Sequence, residues 1–363
     1  MTNITSVETF STQNIGMVRV RLDDGLEGYG QVAPYNADIT SSIVHRQMAR
    51  HVLGKDPSDI DALVERCVIA EHKFPGSYTC RAVGGIDTAL WDLKGKREGR
   101  SVSELLGGTK ARLAVYGSSM RRDITPEDEA ERLTRLQQEK GFGAFKIRIA
   151  DNFGNDVDRW PGRTEAIVPT VRKAVGDATE LLCDANSGYT PKRAIEVGRM
   201  LEDNEVGHFE EPVPYPELEW AAEVAAALTI PVSQGEQEVD LAQFRRMVRM
   251  GAADIVQPDV CYVGGISRAR EVARIAADAG LPCTPHAANR SMVTVFTMHL
   301  QAALPNAGHF MEFSIEDTPW LDGLFATDPF TVTDGHVDVP AGPGWGVEIS
   351  EDWLAQAEHQ ISR

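Results

Sequence analysis

The spacing of apolar residues changes along this chain, and the changes divide it into three parts. In residues 1–33, Val18, Val20 and Leu22 alternate with Arg19 and Arg21. Asp23-Asp24-Gly25 marks a turn, and 26–32 reads as the returning strand of a small antiparallel sheet. From 40 to 110 the period lengthens to that of helices, predicted over 43–53, 60–70 and 82–97, the last stopped by Gly99. From Leu113 short apolar runs alternate with amphipathic ones. Residues 113–116 and 144–149 read as strands. Between them Thr125-Pro126-Glu127-Asp128 opens a helix with an N-cap hydroxyl, a proline in the first turn and acids at the positive end of the dipole. Leu133 and Leu136 give that helix its apolar stripe, and Gly141 ends it. Further helices are predicted from Thr190-Pro191, with Ala194, Val197 and Leu201 on one face, and over 267–279. Residues 310–313 read as the eighth strand.

Five of the apolar runs end in a polar or ionisable residue. They close on Asp184, Glu210, Glu236, Asp259 and His286, at intervals of 26, 26, 23 and 27 residues. That interval is the length of one strand plus one helix of a (β/α) barrel, in which the C-terminal strand ends converge on one mouth. A lone acid at a strand end is usually a helix cap or an ion-pair partner. Three at this regular interval, followed by Asp and His, predict a shared site. The fold class expected is α/β: a (β/α)7β TIM-like barrel over 111–320 with an N-terminal α+β capping domain over 1–110. A loop-rich segment, 321–363, is expected to return to the capping domain.

Composition narrows the function. With 363 residues the chain is long enough for a barrel and an added domain. A net charge of −18 argues against nucleic acid as a partner, because nothing would neutralise phosphates. No apolar run approaches the ~18 residues of a membrane span. The N-terminal residues lack the basic and apolar regions of a secretion signal, so a cytoplasmic location is expected. The five cysteines are scattered, with neither a zinc spacing nor a disulfide framework.

The ladder of strand ends, together with the run from Ala82 to Lys96 (Ala-Val-Gly-Gly-Ile-Asp-Thr-Ala-Leu-Trp-Asp-Leu-Lys-Gly-Lys) and Leu105-Leu106-Gly107-Gly108, resembles the enolase superfamily, specifically its mandelate racemase-like subgroup. The resemblance covers the whole chain. It implies that Asp184 in Asp-Ala-Asn, Glu210 in Glu-Glu-Pro and Glu236 in Gly-Glu-Gln are metal ligands, with Glu211 supporting them from behind. It implies that Asp259 and His286 form a His–Asp dyad, and that Glu312 is the acid of the last strand. Three carboxylates offer hard oxygen ligands suited to Mg²⁺, which counters the charge of an enediolate formed by abstracting a proton next to a carboxylate. His286 would be the base near neutral pH, and Asp259 would orient its ring.

At the end of the second strand, Lys146-Ile147-Arg148 departs from the family, which often places two lysines there. Alternation sets Lys146 and Arg148 on one face, opposite Phe145 and Ile147. Arginine is a poor base and a good anion clamp, so a second base for racemisation is missing. The short connection over 11–17, where relatives often carry a long loop, implies a roomier mouth. Asn186, Asn289 and Arg290 lie near strand ends and are candidates for binding substrate hydroxyls or a distal carboxylate, although loop polarity explains them equally well. The expected activity is a Mg²⁺-dependent dehydratase of a polyhydroxy (aldonic or aldaric) sugar acid, proceeding through an enediolate to a 2-keto-3-deoxy acid. The alternatives are a racemase, epimerase or lactone cycloisomerase on the same scaffold and, more remotely, a non-catalytic binding barrel. The partner is a small-molecule carboxylate, and the resemblance implies a homo-oligomer, dimer or octamer.

Overall fold

The computed structural model describes residues 2–151 and 153–363. The N-terminal domain carries an antiparallel sheet of β1 (Ile4–Ser11), β2 (Gly16–Leu22) and β3 (Glu27–Gln31). The β2–β3 turn uses Gly25 at φ 87°. The first helical stretch begins earlier than the sequence pattern predicts, at Ala37, and continues through a π-helical turn at Val44–Met48. The long helix Ser77–Glu98 lies across the sheet almost backbone to backbone. A Cβ at Gly30 would stand 2.3 Å from the Gly85 carbonyl oxygen, and one at Gly28 would stand 2.4 Å from that of Ala89. Glycine is therefore required on β3 by close approach.

The barrel follows as β4 (Arg112–Ser118), β5 (Ala144–Arg148), β6 (Glu180–Asp184), β7 (Phe209–Glu210), β8 (Val232–Gln234), β9 (Ile255–Val256) and β10 (Met311–Ser314). Each is parallel to its neighbour, and β10 pairs with β4. Where the seventh barrel strand was expected, around 281–286, there are isolated bridges and no regular strand: Val256 to Cys283, Cys283 to Ala307, and Asp259 to His286. Pro282 and Pro285 have no N–H to give to a ladder, which explains why this position closes the barrel without forming a regular strand. Phe145 and Ile147 point outward into the main core, whereas Tyr116, Ala144 and Leu182 fill the barrel interior as a small separate cluster with Phe310. That plug lies on the inward face that also carries Lys146 and Arg148.

The segment after residue 320 is more regular than a loop-rich tail. β11 (His336–Asp338) pairs antiparallel with β4 in the barrel, and β12 (Glu358–Ser362) pairs antiparallel with β1 in the N-terminal sheet. Trp345 is buried between them. Its indole N–H donates to the carbonyls of Tyr29 (3.1 Å) and Thr88 (3.0 Å), and its backbone N–H donates to Asp92 Oδ1 (3.1 Å).

Two buried polar contacts lock the N-terminal domain to the barrel. Asp87 of the long helix caps a barrel helix, Ile266–Asp278, by accepting the Ile266 N–H at 2.6 Å. The preceding Gly265, at φ 100°, leaves room for it, since a Cβ there would lie 2.1 Å from Asp87 Oδ1. His299, on helix Met292–Ala303, accepts the Ser103 N–H at Nδ1 (3.0 Å) and donates from Nε2 to the Trp345 carbonyl (3.0 Å). All five cysteines are buried and free.

Gly265→Ala should therefore lower the melting temperature by several degrees through both positive-φ strain and collision with Asp87, as thermal denaturation would show. Burial pushes the His299 imidazole down to about 4, against the weaker opposing pull of the Trp345 carbonyl. Folding thus favours its neutral form, so this contribution is complete above about 6.5 and is lost as pH falls through about 4. Replacing His299 with Gln should flatten the stability profile over that window by up to about one proton.

Candidate active site

Parallel pairing places the ladder residues at one end of the barrel. Asp184 ends β6 and lies opposite Glu210, which ends β7. Glu236 follows β8 by two residues, Asp259 follows β9 by three, and His286 bridges to Asp259. On β5, Lys146 pairs with Leu182 and Arg148 with Asp184. Glu312 pairs with Tyr116 across the closing seam. All eight side chains are buried.

Carboxylate oxygens of Asp184, Glu210 and Glu236 lie within 4.8 Å of one another. This all-oxygen donor set suits a hard divalent cation. Glu236 Oε2 is buried and has no hydrogen-bond donor among the described residues. His286 Nε2 comes to 3.2 Å of that atom but is not aligned to donate to it. An orphaned buried carboxylate oxygen facing two other acids is what a metal ligand looks like when only protein is considered, so the residues fit a divalent ion. The remaining contacts hold the ligands in place. Glu210 receives Lys146 Nζ on Oε1 (2.6 Å) and Gln257 Nε2 on Oε2 (2.9 Å), and Gln237 Nε2 donates to Glu236 Oε1 (3.0 Å). Asp184 Oδ1 accepts the Asn186 N–H at 2.7 Å, and Asn186 Nδ2 lies 3.3 Å from Oδ2.

The dyad is formed. Asp259 Oδ1 caps a short helix, Val260–Val263, by accepting the N–H groups of Cys261 (2.8 Å) and Tyr262 (2.9 Å). That leaves Oδ2 for His286 Nδ1 at 2.8 Å. The cap reading and the catalytic reading of this aspartate are both satisfied, one by each oxygen. With Nδ1 bonded, Nε2 is the nitrogen that faces the acids, 3.2 Å from Glu236 and 3.9 Å from Glu312.

Charge governs the ionisation states. Burial favours neutral His286, but Glu236, Glu312 and Asp259 outweigh it and raise the imidazole to about 10. Burial likewise favours a neutral Lys146, yet Glu210 and Glu312 hold its ammonium above the ordinary lysine value. Glu312 shows the reverse balance: burial would raise it, and Lys146 and His286 hold it down at about 2. Glu312 also accepts from Ser118 Oγ and the Ala287 N–H, each at 2.8 Å. Glu211, buried beside Glu236 and Glu210, is pushed well above the carboxylate range by desolvation and by those two charges.

Arg148 lies across the mouth, ion-paired with Asp184 and bonded from Nη1 to Asn186 Oδ1 at 2.8 Å. Asn186 therefore belongs to the cluster. The other two candidates stand apart. Asn289 Oδ1 accepts the Ser291 N–H in its own turn (3.2 Å). Arg290 donates to the Glu316 carbonyl (3.0 Å) and lines cavities under the tail with Leu321, Phe325 and Phe330. Sequence reasoning missed Gln257, Ser118 and Arg122, the last donating to Asn186 Oδ1 at 2.6 Å. Gln257 had a readable signal, since it stands in the same strand-end run as Asp259. Arg122 sits in the loop after β4 and had none.

Mg²⁺ titrated into the purified protein should raise its melting temperature through binding linkage. Glu236→Gln should weaken that binding by more than about tenfold in calorimetry while leaving the circular dichroism unchanged.

Comparison with known proteins agrees with this geometry. Residues 2–107 match the family model for the mandelate racemase / muconate lactonizing enzyme N-terminal domain, and 128–353 match the enolase C-terminal domain-like model. L-talarate/galactarate dehydratase of Salmonella typhimurium is 31% identical over 338 residues, covering 92% of this chain and 80% of that protein. A crystal structure from Roseobacter denitrificans, provisionally called a racemase, superposes with a TM-score of 0.98 at 54% identity, covering 99% and 100% of the two chains. A mandelate racemase/muconate lactonizing protein from Paracoccus denitrificans, complexed with magnesium, superposes with a TM-score of 0.91 at 29% identity, covering 100% and 98%. With an N-terminal capping domain, a (β/α) barrel and acids at successive strand ends, the chain belongs to the mandelate racemase / muconate lactonizing enzyme family of the enolase superfamily.

Proposed function

We propose that this protein is a Mg²⁺-dependent dehydratase of a polyhydroxy sugar acid, acting in the cytoplasm by α-proton abstraction to give a 2-keto-3-deoxy acid. The observation that carries the reading is an asymmetry: one side of the mouth holds an imidazole oriented by a carboxylate, and the other holds Arg148. Bound among Asp184, Glu210 and Glu236, Mg²⁺ would supply positive charge where the deprotonated acid accumulates negative charge.

The side chains have separable tasks. Lys146, held between Glu210 (2.6 Å) and Glu312 (2.8 Å), presents a fixed ammonium to the substrate carboxylate. His286 Nε2 takes the α-proton while Asp259 stabilises the imidazolium from Nδ1. Glu236 contributes most to the raised basicity of His286, and a cation held by Glu236 would oppose that contribution. A guanidinium is a poor proton acceptor, so the Arg148 side offers no base for a second α-proton. The electron pair left on the α-carbon is then used to break the β-carbon–oxygen bond. The imidazolium returns its proton to the departing hydroxyl, water leaves, and the enol tautomerises to the ketone. The activity named for the Salmonella relative supports this reading, and the designation of the Roseobacter protein keeps epimerisation as the competing one.

Proton NMR in D₂O with Mg²⁺ and a panel of sugar acids should show new methylene signals of a 2-keto-3-deoxy product. Loss of only the α-proton signal, with the carbon skeleton intact, would replace dehydration by epimerisation. His286→Asn should reduce turnover by at least about 10²-fold with Mg²⁺ binding retained.

A further inference from the structure

The mouth holds two guanidiniums on one neutral oxygen. Asn186 Oδ1 accepts from Arg148 Nη1 at 2.8 Å and from Arg122 Nη2 at 2.6 Å. The orientation of the amide is not free. Its Nδ2 and its backbone N–H are turned to Asp184, so the carbonyl oxygen is held towards the arginines. Arg122 gives its other bond, from Nε, to the Ala150 carbonyl at 3.0 Å, so both its acceptors are uncharged. Asp151 lies close enough to influence Arg122 but is paired with Arg159 at 3.6 Å. Arg148 is buried, only 4% exposed, and its Nε has no acceptor among the described residues. Among the described residues, the one carboxylate ion-paired with Arg148 is Asp184, which belongs to the metal-ligand triad. Two neighbouring cations, Arg148 buried and Arg122 half-buried, with only neutral acceptors between them and an unused donor on Arg148, form a site short of an anion. Burial and the charge of Arg148 depress Arg122 to about 10, consistent with that imbalance.

We infer that Arg122 and Arg148, spaced by Asn186, bind a second carboxylate of the substrate, so that the sugar acid is a diacid (an aldarate) and Arg122 is a specificity-determining residue. This rests on the proposed reaction for the position of the first carboxylate, which goes to Lys146 and the acid cluster. The charged ends of Lys146 and Arg148 both reach Asp184 Oδ2, Lys146 Nζ at 3.6 Å, and Arg122 lies beyond them on Asn186 Oδ1. A short sugar diacid bridges such a span. The planar fork of a guanidinium pairs with a carboxylate through two parallel bonds, which a terminal hydroxymethyl group of an aldonate cannot reproduce.

The test separates binding from turnover. The His286→Asn protein, loaded with Mg²⁺, is titrated by calorimetry with a panel of hexarates and pentarates, each beside its own aldonate. The expected result is at least one diacid bound about tenfold or more tighter than its matched monoacid. Adding Arg122→Gln should remove that preference, leaving monoacid affinity and Mg²⁺ affinity within about twofold, and Arg122→Lys should restore part of it. In the otherwise wild-type enzyme, Arg122→Gln should act on KM more than on kcat for the diacid. If no diacid is preferred over its monoacid, or if Arg122→Gln weakens both equally, the inference is overturned. If the diacid preference and its dependence on Arg122 hold but NMR shows only α-proton exchange, the anion site stands and the dehydration reading fails.

Discussion

The constraint that organises this molecule is the buried negative charge at the barrel mouth. Asp184, Glu210, Glu211, Glu236, Asp259 and Glu312 are all withdrawn from water within one cluster. Burying an ionised carboxylate without a partner is prohibitively costly, so each must be paired, protonated or bound to a cation. The structure uses the first two routes and leaves room for the third. Lys146 is shared by Glu210 and Glu312, His286 by Asp259 and Glu236, and Glu211 is pushed towards its protonated form. What is left over is Glu236 Oε2, which accepts no hydrogen bond among the described residues and faces the two other acids; it is the part that calls for a divalent metal. The same electrostatics that demands compensation raises the affinity of His286 for a proton and fixes Lys146 as an ammonium. The chemistry of the site follows from how its charge is balanced.

Such a cluster holds its shape only on a rigid frame. Strand pairing sets the ligand positions along the barrel axis, and the N-terminal domain fixes the mouth from above. Gln31, at the end of β3, donates to Ser291 Oγ (3.0 Å) and accepts the Met292 N–H (3.2 Å), and its carbonyl faces Cys261 next to the Asp259 cap. Asp87 and His299 tie the same two domains through backbone groups that would otherwise be buried without partners. The domain interface is thus held by oriented polar contacts as well as apolar area.

Much of this was legible in the chain itself. Asp184, Glu210, Glu236, Asp259 and His286 could be aligned because each follows a short apolar run and because one strand plus one helix repeats at nearly constant length. The inward face of β5 could be read from alternation alone, and it separated Lys146 and Arg148 from Phe145 and Ile147. The failures have two different causes, one local and one long-range. Pro282 and Pro285 break the ladder where a regular strand was expected. The tail contributes β11 and β12, whose partners β4 and β1 lie more than 200 residues away and leave no local pattern.

The sequence by itself thus determined the order of elements, the ends of the strands and the chemical kinds of residue brought to the mouth. Periodicity and repeat length are properties of a single element, and they survive in one dimension. Only the tertiary structure decided which atoms meet. It divided Asp259 between a helix cap and an imidazole, and it left Asn289 in its own turn. It turned Arg290 under the tail and brought Arg122 from a featureless loop to the oxygen of Asn186. Those choices depend on side-chain direction and on competition between local and distant partners for a few buried donors and acceptors, and that competition is settled only when the elements come together.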